Sequence, residues 1–142
     1  MKLSLFIAAL LSLLSLNSQA QTITLTIEGL RNSQGIVSVG IFKNQEQFAK
    51  EKPVKKQLFP KTTMKAGLLV VELKLEPGNY GFALLDDENK DAKMNYNWIG
   101  VPLEGFGFSN YVSSGLSKPE YSDFDFVVKP GENKVHIKMR YI

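Results

Sequence analysis

Residues 68–86 read LLVVELKLEPGNYGFALLD, and this stretch decides the fold class. Leu69, Val71, Leu73 and Leu75 alternate with Val70, Glu72, Lys74 and Glu76, which is the period of a strand with one buried face. Pro77, Gly78 and Asn79 then supply turn chemistry before a second apolar run, YGFALLD. The pattern predicts two strands joined as a β-hairpin.

The same period continues in both directions. In TITLTIE, Ile23, Leu25 and Ile27 share one face opposite Thr22, Thr24, Thr26 and Glu28. GIVSVGIF places Val37, Val39 and Ile41 inward. Phe124, Phe126 and Val128 precede a turn at Pro130 and Gly131, after which Val135, Ile137, Met139 and Tyr141 alternate with Lys134, His136, Lys138 and Arg140. This predicts a second hairpin, and residues 54–64 predict one irregular strand more. NQEQFAKE, residues 44–51, predicts the one helix, capped by Asn44, anchored by Phe48 and ended by Pro53. One-face alternation points to antiparallel sheets packed face to face. The expected fold is all-β, an antiparallel β-sandwich of immunoglobulin-like or prealbumin-like kind, with six or seven strands, one short helix and one long loop.

Residues 1–20, MKLSLFIAALLSLLSLNSQA, have the form of a secretory signal peptide: Lys2, an apolar stretch from Leu3 to Leu16, then the small residues Ser18 and Ala20. The apolar stretch is short of the roughly twenty residues that span a bilayer. Cleavage before Gln21 leaves 142 − 20 = 122 residues, one domain at 21–142 with no transmembrane segment, in the periplasm or outside the cell. Without Lys2 the balance is 16 basic to 14 acidic side chains, a net +2, which argues against a nucleic-acid partner. The chain has no cysteine, which excludes disulfides and thiolate chemistry.

Residues 86–110, DDENKDAKMNYNWIGVPLEGFGFSN, break the alternation. A long aperiodic segment in a compact domain is commonly functional. Asp87, Asn89 and Asp91 follow the alternate spacing of a calcium loop, continued by Lys93 and Asn95, so Ca2+ is the candidate cation. Ala92 stands where such a loop wants glycine, and Trp98 where it wants glutamate. Turn formation by Asp and Asn explains the same residues without a metal. Trp98, Phe106 and Phe108, with Ser109 and Asn110 as polar contacts, are the candidate binding residues. The alternative for the rings is a self-packed loop over an open end of the sandwich. His136 is the only histidine and falls on the solvated face.

The strand end PGNYGFALLDDEN, the W-x-G-x-P at Trp98 to Pro102, the EGFGFSN at Glu104 to Asn110 and the later SDFDF together resemble the bacterial DUF2141 family, over about Ile27 to Tyr141. The resemblance implies an exported single-domain β-sandwich of uncharacterised activity. Members commonly carry a glycine soon after the DEN, where this chain has Lys90, Asp91 and Ala92.

The function expected is a non-enzymatic binding module acting through residues 86–110 on a protein or glycan of the cell envelope. One rival is a carboxylate enzyme acting on an envelope glycan, with Asp87 or Glu104 beside Glu88. Another is a structural protein that self-associates through a sheet edge.

Overall fold

The computed structural model describes residues 18–96, 100–114 and 116–142. Its strands are β1 (Gln21–Glu28), β2 (Ile36–Phe42), β3 (Lys55–Pro60), β4 (Leu69–Leu75), β5 (Gly78–Asp87), β6 (Gly105–Phe108), β7 (Asp125–Val128) and β8 (Asn133–Lys138). Two short helices, α1 (Gln45–Ala49) and α2 (Tyr121–Phe124), lie between them. The architecture is the expected β-sandwich.

One sheet has the order β4-β1-β8 and the other β3-β2-β5-β6, with β7 also pairing β5. All strand pairs are antiparallel except β1 with β8, which run parallel. The ten residues of β5 serve two short partners in turn: Gly78–Gly81 pairs β7, and Ala83–Asp86 pairs β6. The inward residues named above meet between the sheets: Ile23, Leu25 and Ile27 from β1, Val37, Val39 and Ile41 from β2, and Phe82 and Leu84 from β5.

Neither expected hairpin forms. β4 pairs β1 in the smaller sheet, while β5 lies in the larger one, so the turn after Leu75 carries the chain across the core. The turn after Val128 does the same between β7 and β8. The physical reason is that period two reports which face is buried. Strands that face each other across a core and strands that pair side by side bury the same alternate residues.

The sheets are also joined along one side. Phe106 and Arg140 exchange both backbone hydrogen bonds, at 3.0 and 2.8 Å. The Asn110 N–H donates to the His136 carbonyl at 2.8 Å, and Asn110 Oδ1 accepts from the His136 N–H at 3.0 Å.

The outer face of the larger sheet is apolar too. Phe42, Phe48, Phe108, Tyr121 and Phe124 form a second cluster there, with Phe48 edge-on to Phe42 and Phe124 at 5.4 and 4.8 Å. α1 forms as the sequence predicts, with Asn44 Oδ1 accepting from the Gln47 N–H at 2.9 Å. It lowers Phe48 onto this face. Close approach of α2 depends on Gly81, where a Cβ would lie 2.7 Å from the Phe124 ring.

Candidate functional site

Residues 86–110 are not a continuous loop. Asp86 and Asp87 still belong to β5, and Gly105–Phe108 is β6, so the excursion proper runs from 88 to 104. Asp87 points to the outer side and organises its start. Its carboxylate accepts from the Asp91 N–H at 3.1 Å and the Ala92 N–H at 2.9 Å. Asn89 Oδ1 also accepts from the Asp91 N–H, at 3.2 Å, while Asp91 Oδ1 accepts from the Lys93 N–H at 2.9 Å. Ala92 takes the left-handed conformation, φ 63°, at the position where the calcium-loop pattern wants glycine. The turn forms regardless.

Further along, the Leu103 N–H donates to the Asn95 carbonyl at 2.7 Å, and Tyr96 bridges Pro102. Glu104 returns the chain to the sheet and accepts from the Asn95 N–H at 3.3 Å. Single carboxylate oxygens of Asp87, Asp91 and Glu104 lie within 4.8 Å of one another. Of the expected cation ligands, Asp87 and Asp91 therefore converge. Asn89 bonds within the turn, its amide donating to Asp91 at 3.1 Å, and Glu104 stands third. Burial, and then the charges of Asp87 and Asp91, hold the Glu104 carboxyl above the ordinary range against the lowering effect of the Asn95 N–H. Arg31 and Lys61 are committed to Glu88 and Asp86. The Lys93 N–H, then the Asn95 and Asn89 side chains, hold the Asp91 carboxyl below its ordinary range, and the Lys93 ammonium on the same turn adds to them.

Glu88 and Glu104 share a small cleft with Arg31, Asn89, Asn95 and Tyr96, about 390 Å³ in volume. Both Glu88 oxygens accept from the Arg31 guanidinium, at 2.6 and 3.2 Å. That bond holds the Glu88 carboxyl below its ordinary range.

A larger trough opens on the outer face of the five-stranded sheet, about 660 Å³ in volume. Its floor is paved by the small residues Ser38, Gly40 and Ala83, with Leu85 beside them. Register explains the paving, because Ser38 pairs Leu85 and Gly40 pairs Ala83, and all four point outward. Phe42, Phe48, Phe106 and Phe108 wall one part, and Met94, Tyr96, Val101 and Pro102 of the 88–104 excursion wall another. At the mouth, Tyr96 and Leu116 are 57% and 68% exposed. Large apolar residues are thus displayed where the trough opens.

Phe106 and Phe108 line this trough, Phe106 half-buried and Phe108 buried. Ser109 and Asn110 are not brought to it. The Ser109 hydroxyl is buried, accepts from the Phe82 N–H at 2.9 Å and donates to the Phe124 carbonyl at 2.6 Å. Asn110 joins the two sheets as described above. Trp98 lies outside the described residues.

Residues 25–136 match DUF2141, described as an uncharacterized protein conserved in bacteria. The chain belongs to the DUF2141 family. No curated protein and no solved structure matches it. In the sequence Lys93 stands out only for its place in the calcium-type spacing, while Leu85 and the small-residue floor are not singled out. The available signal was composition: in IVSVGIF and FALL, apolar and small residues occupy both alternating sets, which marks strands covered on both faces.

Proposed function

We propose that this DUF2141 protein is an exported, non-enzymatic binding module that holds a small ligand with an apolar body in the outer-face trough. The observation that carries the reading is the trough itself: about 660 Å³, floored by small residues and lined largely by apolar ones. That volume falls within the usual range of small-molecule sites. Met94, Tyr96, Val101 and Pro102 of the excursion form one of its walls, which gives that irregular segment a purpose.

The test uses Nile red, an uncharged apolar dye. Wild-type protein is expected to bind it saturably, near one to one, with enhanced fluorescence. Ala83→Phe fills the floor from an outward-facing position and is expected to remove most of that signal while the fold melts cooperatively. Undiminished dye binding by a folded Ala83→Phe variant contradicts the reading.

Export is supported by the signal-like residues 1–20 and by β1, which begins at Gln21, so removal of the leader spares every strand among the described residues. N-terminal sequencing of protein recovered from outside the cytoplasm of a bacterial host is expected to begin at Gln21. An intact Met1 on that material contradicts cleavage.

A second reading concerns the root of the wall. Glu104 and Asp87 are buried carboxylates facing Asp91, and that repulsion is relieved either by a proton on Glu104 or by a cation. Ca2+ suits an all-oxygen donor set of this kind. Excess calcium, relative to chelator, is expected to raise the thermal midpoint by several degrees, as native-state ligands do. Calcium's advantage should shrink as pH falls through the raised Glu104 value, because the proton then takes the place of the ion. Asp91→Asn, an exposed change, should abolish it. Identical midpoints with calcium and chelator at neutral pH contradict a cation role.

A further inference from the structure

The charged side chains bordering the trough are mainly basic. Lys56 of β3, Lys93 of the excursion and Lys118 before α2 all border it, and Glu51 is the one acidic residue among its lining. Glu51 is already engaged, its carboxylate 3.3 Å from the Lys118 ammonium. Lys118 also donates to the Phe48 carbonyl at 3.4 Å and sits 4.5 Å from the Phe48 ring centroid, so its position is fixed by the wall. Lys56 and Lys93 are exposed and form no ion pair among the described residues. They approach from different walls. Lys56 sits opposite Gly40 in the register, at the open edge of the sheet, and Lys93 stands on the turn that Asp87 and Asp91 organise.

Two unpaired ammonium groups at the mouth of an apolar trough recognise one kind of molecule. Its body must be apolar, because the floor offers small and aromatic side chains. Its head must be anionic and must stay at the mouth, because the cations are at the rim and the floor has no cation to receive it. A cationic amphiphile would meet like charge, and a neutral one would gain only the floor. Long polymers are disfavoured by the same geometry, since the lysines flank one opening and form no continuous track.

We propose that the ligand of the trough is a free single-chain anionic amphiphile, an aliphatic carboxylate or a close relative. Its chain lies along Ser38, Ala83 and Leu85, beside the Phe42 ring that packs on Gly40, and its head sits between Lys56 and Lys93. This inference rests on the trough reading above and adds the charge class of the ligand.

The experiment measures displacement of Nile red by three probes of equal chain length, each below its micelle concentration: dodecanoate, dodecanol and dodecyltrimethylammonium. Dodecanoate is expected to displace the dye most strongly, at least about five-fold better than dodecanol, the scale expected for two exposed charge contacts. Dodecyltrimethylammonium is expected to be weakest. High salt should erase the dodecanoate advantage and leave dodecanol unchanged. The double variant Lys56→Glu/Lys93→Glu, both changes being at exposed positions, should reverse the order of the two charged probes. Equal displacement by all three overturns the charge assignment while the trough reading stands. Failure of every probe, with no saturable dye binding, overturns both. An unreversed order in the folded double variant removes Lys56 and Lys93 from head-group recognition.

Discussion

A fully buried ion pair holds the end of the sandwich from which the candidate site grows. The side chains of Lys61 and Asp86 are both 0% exposed, with Nζ 2.5 Å from Oδ1. The other Asp86 oxygen accepts from the Tyr141 hydroxyl at 2.5 Å, and Asn32 Oδ1 accepts from the Lys61 ammonium at 3.3 Å. Arg31 closes the group, its N–H donating to the Tyr141 oxygen at 3.3 Å and its guanidinium 4.5 Å from the Tyr141 ring centroid. Burial and the neighbouring Asp86 carboxylate push the Tyr141 phenol far above its ordinary range, so it stays a donor. Four segments distant in sequence meet at this point: the turn after β1, the residue after β3, the end of β5, and the C-terminal residues. Charges taken out of water are tolerated only with all partners present. The network fixes β5 at Asp86, one residue before the strand ends at Asp87.

The excursion leaves the sheet next to that anchor. Asp86 faces inward and is spent on the network, while its neighbour Asp87 faces outward and folds the following turn around its two oxygens. Adjacent residues of one strand thus divide the work, because successive side chains point to opposite faces. The excursion then rises beside an outer face whose small residues leave space under it. Aromatic rings fill the half of that face nearest the helices. The Phe42 ring packs on Gly40, 3.1 Å from where a Cβ would lie, and the trough is the space left beside it over Ser38, Ala83 and Leu85.

The fold class was legible because one-face alternation is a strong signal over strands such as β1 and β8. Sheet membership was not, since the turns at Pro77 and Pro130 serve arches as well as hairpins. A second short helix, Tyr121–Phe124, lay inside what reads as an alternating acidic and aromatic strand. Its Glu120 and Asp123 form a reciprocal cap that a period-two reading passes over. Asp86 was grouped with the polar turn, although Tyr80, Phe82, Leu84 and Asp86 fall on one alternating set and mark a charge on the buried face. Lys61 carried no local signal at all. Its partner lies 25 residues away, and only the pairing of β3 and β5 about β2 brings the two together. Phe106 and Phe108, singled out by the glycine-spaced aromatics, line the trough. Their polar neighbours Ser109 and Asn110 prove to be structural bonds, a distinction that needs the tertiary fold.

The most direct test of the anchor is denaturant unfolding of Lys61→Met beside Lys61→Met/Asp86→Asn. Removing the ammonium alone leaves a buried carboxylate unmatched and is predicted to cost about 3–5 kcal/mol. Neutralising Asp86 in the same background removes the stranded charge and is predicted to recover at least half of that loss. A loss below about 1 kcal/mol for Lys61→Met, the scale of a surface pair, would contradict the account. So would a double variant less stable than the single one.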